Sequence, residues 1–106
     1  MKIRNLILAL IAIAAMSSCK SQYELLLNSN DADAKYKAAF EYFNNRKYSR
    51  AASLFESLSA LTDGTERDDT VRYYWGLSNY NFKDYYTAET NFEQFVESYP
   101  RSPFAE

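Results

Sequence analysis

The sequence has no histidine, one cysteine, two glycines and two prolines among 106 residues. Each shortage removes a class of answers. Without histidine the commonest general base and metal ligand is missing. A single cysteine cannot close a disulfide within the chain. So little Gly and Pro argues against a sheet of short strands joined by tight turns. A basic excess is lacking as well, since 12 Lys and Arg stand against 14 Asp and Glu. Nucleic-acid binding would want a basic stripe. No Gly-rich phosphate loop occurs. The apolar run Leu6 to Met16 is far shorter than the roughly 20 residues of a membrane-spanning helix.

What is present at the front end is an export signal. Lys2 and Arg4 precede the apolar run, which has the length of a signal-peptide core. Residues 1–18 are therefore read as a signal peptide. Ser17-Ser18-Cys19 resembles the lipobox of bacterial lipoproteins, with Met16 where Leu is usual. That resemblance implies acylation of Cys19 by fatty acids such as palmitate. One acyl chain holds a protein only marginally and two hold it stably; lipoproteins of this kind typically carry three. The competing reading is an ordinary signal peptide cut at Ala12-Ile13-Ala14, with an incidental thiol at Cys19. Lys20 stands where Asp is associated with inner-membrane retention, so the implied destination is the outer membrane. Lys20-Ser21-Gln22-Tyr23 has no acidic run of the surface-export type, which favours the periplasmic face.

Taking 18 residues from 106 leaves 88. All 14 acids stay and two of the 12 bases go, so the exported chain carries a net charge of −4. Ten Tyr, seven Phe and one Trp all follow Cys19. Residues 19–30 read as a lipidated tether, with one helical turn at Tyr23-Glu24-Leu25-Leu26-Leu27 broken by Asn28-Ser29-Asn30-Asp31.

The rest is organised by a stretch that occurs twice. Lys47-Tyr48-Ser49-Arg50-Ala51-Ala52-Ser53-Leu54-Phe55-Glu56 returns as Asp84-Tyr85-Tyr86-Thr87-Ala88-Glu89-Thr90-Asn91-Phe92-Glu93, a shift of 37 residues. The tetratricopeptide repeat has a period of about 34, with a large-then-small pair, then A-x3-F, then Pro. Trp75-Gly76, Ala88 with Phe92, and Pro100 fall in that register. The longer loop 61–69 absorbs the excess. The expected fold is all-α: repeat 1 over 31–64, repeat 2 over 69–100, and the start of a third from residue 102, where Ser102-Pro103 is a helix-start signal.

In detail, helices are expected from Asp31 or Asp33 to about Asn45, Tyr48 to Leu61, Thr70 to Phe82 and Tyr85 to Tyr99. Asp63-Gly64 stops the second of them. Phe92, Phe95, Val96 and Tyr99 are the expected buried face of the last. Gly76, which costs about 1 kcal/mol against Ala in mid-helix, is explained by close approach of Ala88. Lys35 and Arg72 depart from the motif, standing where it has Trp; Asn79 stands where it has Tyr. Thr65 to Asp69 reads as a charged, exposed loop with a cap. The acids Asp63, Glu66, Asp68 and Asp69 match no calcium-loop spacing, so no metal or cofactor is assigned. Two repeats are fewer than a solenoid needs to bury its core, so the chain is expected to be the N-terminal piece of a longer protein.

For function, no catalytic residue is assigned and the chain is expected not to be an enzyme. In stacked helix pairs the first helix of each pair lines the concave groove. Here that face carries Tyr36, Phe40, Phe43 and Asn44, then Tyr73, Leu77, Tyr80 and Asn81. Asn44 and Asn81 are in register. Aromatic anchors beside amides suit an extended peptide, while about half of these aromatics are expected to serve as core.

At this point a family resemblance emerges. The lipobox, the Tyr-Glu-Leu-Leu-Leu linker, Lys35-Tyr36-Lys37-Ala38-Ala39, Arg46-Lys47-Tyr48 with Ala51-Ala52 and Leu54-Phe55-Glu56, and Tyr99-Pro100-Arg101-Ser102-Pro103 together resemble the BamD-type lipoproteins of the outer-membrane β-barrel assembly machinery. The resemblance implies a lipid-anchored periplasmic scaffold that partners the barrel-forming insertase and its companion lipoproteins. Its N-terminal repeats would receive the C-terminal signal of unfolded barrel proteins. The alternative is another repeat lipoprotein of the envelope, for example a division scaffold. An enzyme with its chemistry in a C-terminal continuation is the third class.

If Cys19 is the acyl site, Cys19→Ser abolishes incorporation of radiolabelled fatty acid in cells; label that persists on the variant removes the anchor.

Overall fold

Helix boundaries follow from capping residues. In the computed structural model, which describes residues 22–105, the Asp31 carboxylate accepts the Ala34 N–H at 3.1 Å and caps the first long helix. Residues 22–28 are helical and form α1. Helix α2 spans Ala32–Asn44, α3 Tyr48–Thr62, α4 Asp68–Asn81 and α5 Tyr85–Ser98. A 3-10 turn, Pro103–Ala105, follows. Among the described residues there is no strand, and the fold is all-α. The expected signal peptide, Cys19 and Lys20 lie outside the described residues.

Two turns of one design link α2 to α3 and α4 to α5. In the first, the Lys47 N–H reaches the Tyr42 carbonyl at 2.9 Å and the Arg46 N–H reaches Phe43 at 3.0 Å. In the second, Asp84 reaches Asn79 at 2.9 Å and Lys83 reaches Tyr80 at 3.0 Å. This is the Schellman closure, which satisfies the last helix carbonyls and needs one residue in the left-handed region. Arg46 and Lys83 supply it, with φ of 61° and 71°. After α3 the turn is of a different kind, a type II turn with Gly64 at φ 80° and the Thr65 N–H on the Thr62 carbonyl at 2.8 Å.

The turns make each helix antiparallel to the one before it. Phe43 meets Tyr48 at one end of the α2–α3 pair, while Lys35 bonds Ser57 nearer the other. Tyr80 likewise meets Tyr85, and Tyr99 reaches back to Asp68. Helix α3 packs along α4 as closely as along α2. The core lies between them: Ala39, Ala51, Leu54, Phe55, Leu58 and Val71 are all fully buried. Burying Phe55 or Leu58 contributes about 2 kcal/mol each. Ala51 and Ala88, the small residues of the duplicated stretch, both face inward. Their size lets the paired helices approach.

The structure departs from the sequence reading in four places. Residues 22–28, read as tether, form a helix whose Tyr23, Leu26 and Leu27 pack on the core. Apolar side chains three and four apart give that short helix one face to bury. Val96, expected in the buried face of α5, is half exposed, because α5 packs on α4 alone and buries a narrow face. Asp68, expected in an exposed loop, is the first residue of α4 and is fully buried. Finally, Gly76 is approached by Phe92 and Asn91, one turn further along α5 than Ala88. A Cβ at Gly76 would lie 2.8 Å from the Phe92 ring and 3.2 Å from the Asn91 Cβ.

That contact makes a prediction. Ala should gain about 1 kcal/mol of helix propensity over Gly, but overpacking against a fixed Asn91 Cβ costs about 1–3 kcal/mol. Gly76→Ala is therefore expected to lower the urea midpoint; a raised midpoint would show that α5 yields freely there.

Candidate functional site

Tyr36, Phe40 and Asn44 are spaced four residues apart and so share one face of α2. With Lys37 and Glu41 they line an open groove of about 550 Å³. Its floor is firm. The Phe40 ring lies 4.9 Å from Tyr36 and packs edge-on against Phe55 at 5.1 Å and Tyr74 at 4.8 Å. Arg67 reaches in from the α3–α4 loop, with its guanidinium 4.9 Å over Tyr36 and 2.7 Å from the Asp33 carboxylate. An exposed pair of this kind contributes at most about 1 kcal/mol; its geometry nonetheless orients the Tyr36 ring. Lys37 and Glu41 put both signs of charge on the rim, and Asn44 adds an amide. The groove thus offers apolar floor and backbone-type hydrogen bonding together, with no side chain arranged as nucleophile and base.

The other expected site residues go elsewhere. Phe43 is wedged between Tyr48 at 5.4 Å and Tyr74 at 5.3 Å, inside the packing. Tyr73 stacks on Phe104 with centroids 4.6 Å apart and planes 14° from parallel. It also touches Phe92 and Phe95. Leu77 is half-buried. Tyr80 is half exposed, edge-on to Tyr85 at 5.3 Å. Asn81 lines a different cleft, with Arg46, Lys47 and Lys83. The α2 residues Tyr36, Phe40 and Asn44 are brought together, and the α4 set is dispersed.

The helices are held in register by polar locks that hydrophobic periodicity does not reveal. Asp68 accepts from Thr62 Oγ1 at 2.8 Å, from Arg72 Nε at 2.8 Å and from the Tyr99 hydroxyl. The end of α3, the start of α4 and the end of α5 are thereby tied to one carboxylate. Burial alone would raise the Asp68 carboxyl, but the bonds from Tyr99, Arg72 and Thr62 outweigh it and hold it below its ordinary value. Burial, together with the same contact, pushes the Tyr99 phenol up to about 12. Arg72 is raised, chiefly by its bond to Asp68. Asp69 adds a bond from Ser102 Oγ at 3.0 Å, which fixes the segment carrying Phe104.

Lys35, where the repeat motif has Trp, makes the matching lock in the first pair. Its buried Nζ donates to the Leu27 carbonyl at 3.0 Å and to Ser57 Oγ, and Ser57 Oγ donates to the same carbonyl at 2.9 Å. Burial lowers the Lys35 amine. Between α4 and α5, Asn79 Nδ2 donates to Asn91 Oδ1 at 2.8 Å. Among the described residues every buried side-chain polar atom has a partner, as a well-formed interior requires. Also among them, no three His, Cys, Asp or Glu side chains gather as a metal site would need.

A signal for these locks was present in the sequence. Asp31 and Lys35 are repeated 37 residues on as Asp68 and Arg72, an acid four residues before a base in both copies. Tyr74, which touches Phe40, Phe43, Phe55 and Phe104, had none, since Lys37 stands at its counterpart position. Comparison with protein-family models, curated proteins and solved structures gave no match for this chain.

Replacing the Asp68 carboxylate by an amide removes the buried anion and turns one of its two acceptor oxygens into a donor, opposite Arg72 and Tyr99. Asp68→Asn should cost about 2–4 kcal/mol in chemical denaturation, moderated because Arg72 is partly solvated. The pH dependence has two arms. The Asp68 contribution is complete above its unfolded value near 4 and is lost as pH falls through the lower folded value. The Tyr99 contribution is complete below about pH 10 and is lost as pH rises toward about 12. Tyr99→Phe should flatten the alkaline arm, and an unchanged arm would remove the contact.

Proposed function

We propose that this chain is a lipid-anchored helical-repeat scaffold of tetratricopeptide type, which holds an extended segment of another protein along α2. The repeat reading is supported by the duplicated turns, the inward-facing Ala51 and Ala88, and the stacking of α3 on α4. One observation carries the binding reading. Most aromatic rings of the chain are spent on packing, yet Tyr36, Phe40 and Asn44 line an open groove with a rigid floor and a rim of mixed charge. A floor that does not reorganise on binding lowers the entropy cost of capture. Aromatic anchors carry much of the energy in such contacts.

The occupant proposed is the C-terminal segment of an unfolded outer-membrane β-barrel protein, a chain of alternating aromatic and polar residues. The setting is the periplasmic face of the outer membrane, beside the insertase and its companion lipoproteins. This follows the resemblance of the lipobox and repeat wording to BamD-type lipoproteins. Lys37 and Glu41 hold no cluster of like charge that would select a terminal carboxylate, so recognition would rest on ring burial and amide bonds.

The test is titration of the full chain with a fluorescent C-terminal barrel peptide. Tyr36→Ala combined with Asn44→Ala is expected to weaken binding by about tenfold or more, with far-UV helicity unchanged. Phe40 is left intact because its ring also packs on Phe55. Equal affinity of variant and parent would place peptide capture away from α2.

A further inference from the structure

Both Schellman turns put a base where glycine would be free. An L side chain in the left-handed region costs about 1 kcal/mol, and here the choice recurs, Arg46 at φ 61° and Lys83 at φ 71°. The two turns stand at the same end of the bundle. Between them lies a cleft of about 460 Å³ lined by Arg46, Lys47, Arg50 and Lys83, with Tyr48 and Phe82. No carboxylate lines it. The acid within these turns, Asp84, is occupied in capping α5 by accepting the Thr87 N–H at 3.2 Å. Among the described residues the ion pairs use Arg67 and Arg72, not these four bases. Beside the cleft Phe82 and Tyr85 are more than half exposed, and Tyr86 is 83 % exposed.

The direction of α1 decides what this end meets. Gln22 shares a groove with Glu41, Asn45 and Lys47, next to the first turn. Tyr23 sits edge-on to Tyr42 at 5.7 Å and under the Arg50 guanidinium at 5.0 Å. Leu27, about one turn later, accepts from Lys35 toward the opposite end. So α1 runs away from the turns, and its first described residue is at the basic end. Cys19 precedes Gln22 by three residues, a stretch that spans at most roughly 11 Å.

We infer that the turn end of the bundle is a membrane-facing surface, on which Arg46, Lys47, Arg50 and Lys83 meet anionic phospholipid headgroups while Phe82, Tyr85 and Tyr86 lie at headgroup depth. The inference rests on the acyl-anchor reading of Cys19 and adds an orientation to it. A base near an anionic leaflet raises affinity by about fivefold. Tyr beside Lys and Arg is the composition of membrane–water interfaces. An acidic protein partner would also satisfy the four bases. The three-residue sequence distance from Cys19 to Gln22, and the exposed rings, favour lipid. The helices then stand with their turns on the leaflet, and the α2 groove opens sideways into the aqueous phase.

The experiment uses the full lipidated chain in vesicles of phosphatidylcholine with about one quarter phosphatidylglycerol. A spin label at Tyr86→Cys should be more accessible to oxygen than to a water-soluble nickel complex. A label at Glu66→Cys, in the loop at the far end, should show the reverse. Pure phosphatidylcholine, or salt near 1 M with its Debye length of about 3 Å, should return the first label to water. Arg46→Glu with Lys83→Glu should do the same. Arg46→Gln with Lys83→Gln should do so in part, and circular dichroism confirms that both pairs fold. A Tyr86→Cys label that stays aqueous while Cys19 is acylated overturns the inference alone. Protection that appears only on adding polyglutamate also overturns it, in favour of an acidic protein. Reaction of Cys19 itself with the thiol label shows that the anchor reading has failed and takes the inference with it.

Discussion

One buried carboxylate holds three helices to one another. Asp68 has no access to solvent and takes bonds from Thr62 on α3, Arg72 on α4 and Tyr99 just beyond α5. A buried ion is costly unless every lone pair is used, so the three donors are not interchangeable additions. Each makes the others tolerable. The direction of the Asp68 shift agrees: the donors overcome the burial that would otherwise favour the protonated form. Any slide of α5 along α4 would strand the charge, and register is fixed more sharply than apolar packing alone would fix it. Lys35 does the corresponding work for α1, through a backbone carbonyl and a hydroxyl instead of an acid. That choice leaves its charge uncompensated, which is why burial lowers the amine.

These locks explain where sequence reading stopped. The helices were legible because Ala51, Leu54, Phe55 and Leu58 recur at helical spacing between visible stops, Asp63-Gly64 above all. Asp68 was misplaced because a charged residue after a glycine turn reads as solvated loop, and only the folded partners show otherwise. The same holds for Val96 and Phe95: α3, flanked by α2 and α4, buries adjacent Leu54 and Phe55, but α5 packs only on α4 and buries a narrower face, which periodicity alone did not show. The groove was half legible. The pattern picked out one face of α2 and one of α4 correctly as aromatic. It could not show that Tyr74 would turn into the space between them, or that Phe104 would cover Tyr73. The tether was misjudged for a related reason. Tyr23, Leu26 and Leu27 have helical spacing, but a segment that short folds only because Tyr42, Arg50 and Ser57 are waiting for it.

The distribution of polar groups separates two jobs. Around the loop end of the bundle, the ionised groups Asp68, Arg72, Asp33 and Arg67 are paired with one another. Around the turn end the bases face solvent without ion-pair partners among the described residues; Asp84 there caps α5. Bases just past a helix C-terminus gain about 0.3–1 kcal/mol from the helix dipole, which offsets part of the left-handed penalty at Arg46 and Lys83. It does not neutralise them, and no ion pair among the described residues uses them, so their charge is directed outward. Anionic surface is the complement that such an end would meet, and the opposite end, where Asp33, Asp63, Glu66, Asp68 and Asp69 outnumber Arg67 and Arg72, would not compete for it.

The groove on α2 lies between these two ends and is a shallow, open face lined by residues of that helix alone. Phe40 is at once its floor and a core ring, braced by Phe55 and Tyr74. That ring cannot shift without disturbing α3 and α4, so a guest meets a fixed apolar floor. Tyr36 is steadied by Arg67, and Asp33 in turn holds Arg67; this rim is solvated and weak, and is the part able to adjust. Rigid floor and adjustable rim together favour guests that share a backbone shape and an aromatic spacing but differ in their charged residues. On the proposed reading that is the requirement on a receptor for many unfolded barrel chains, where strand-like alternation is common to all and the polar positions vary. A groove selecting one charged motif would need the opposite arrangement, with fixed ions at the rim and a floor free to mould.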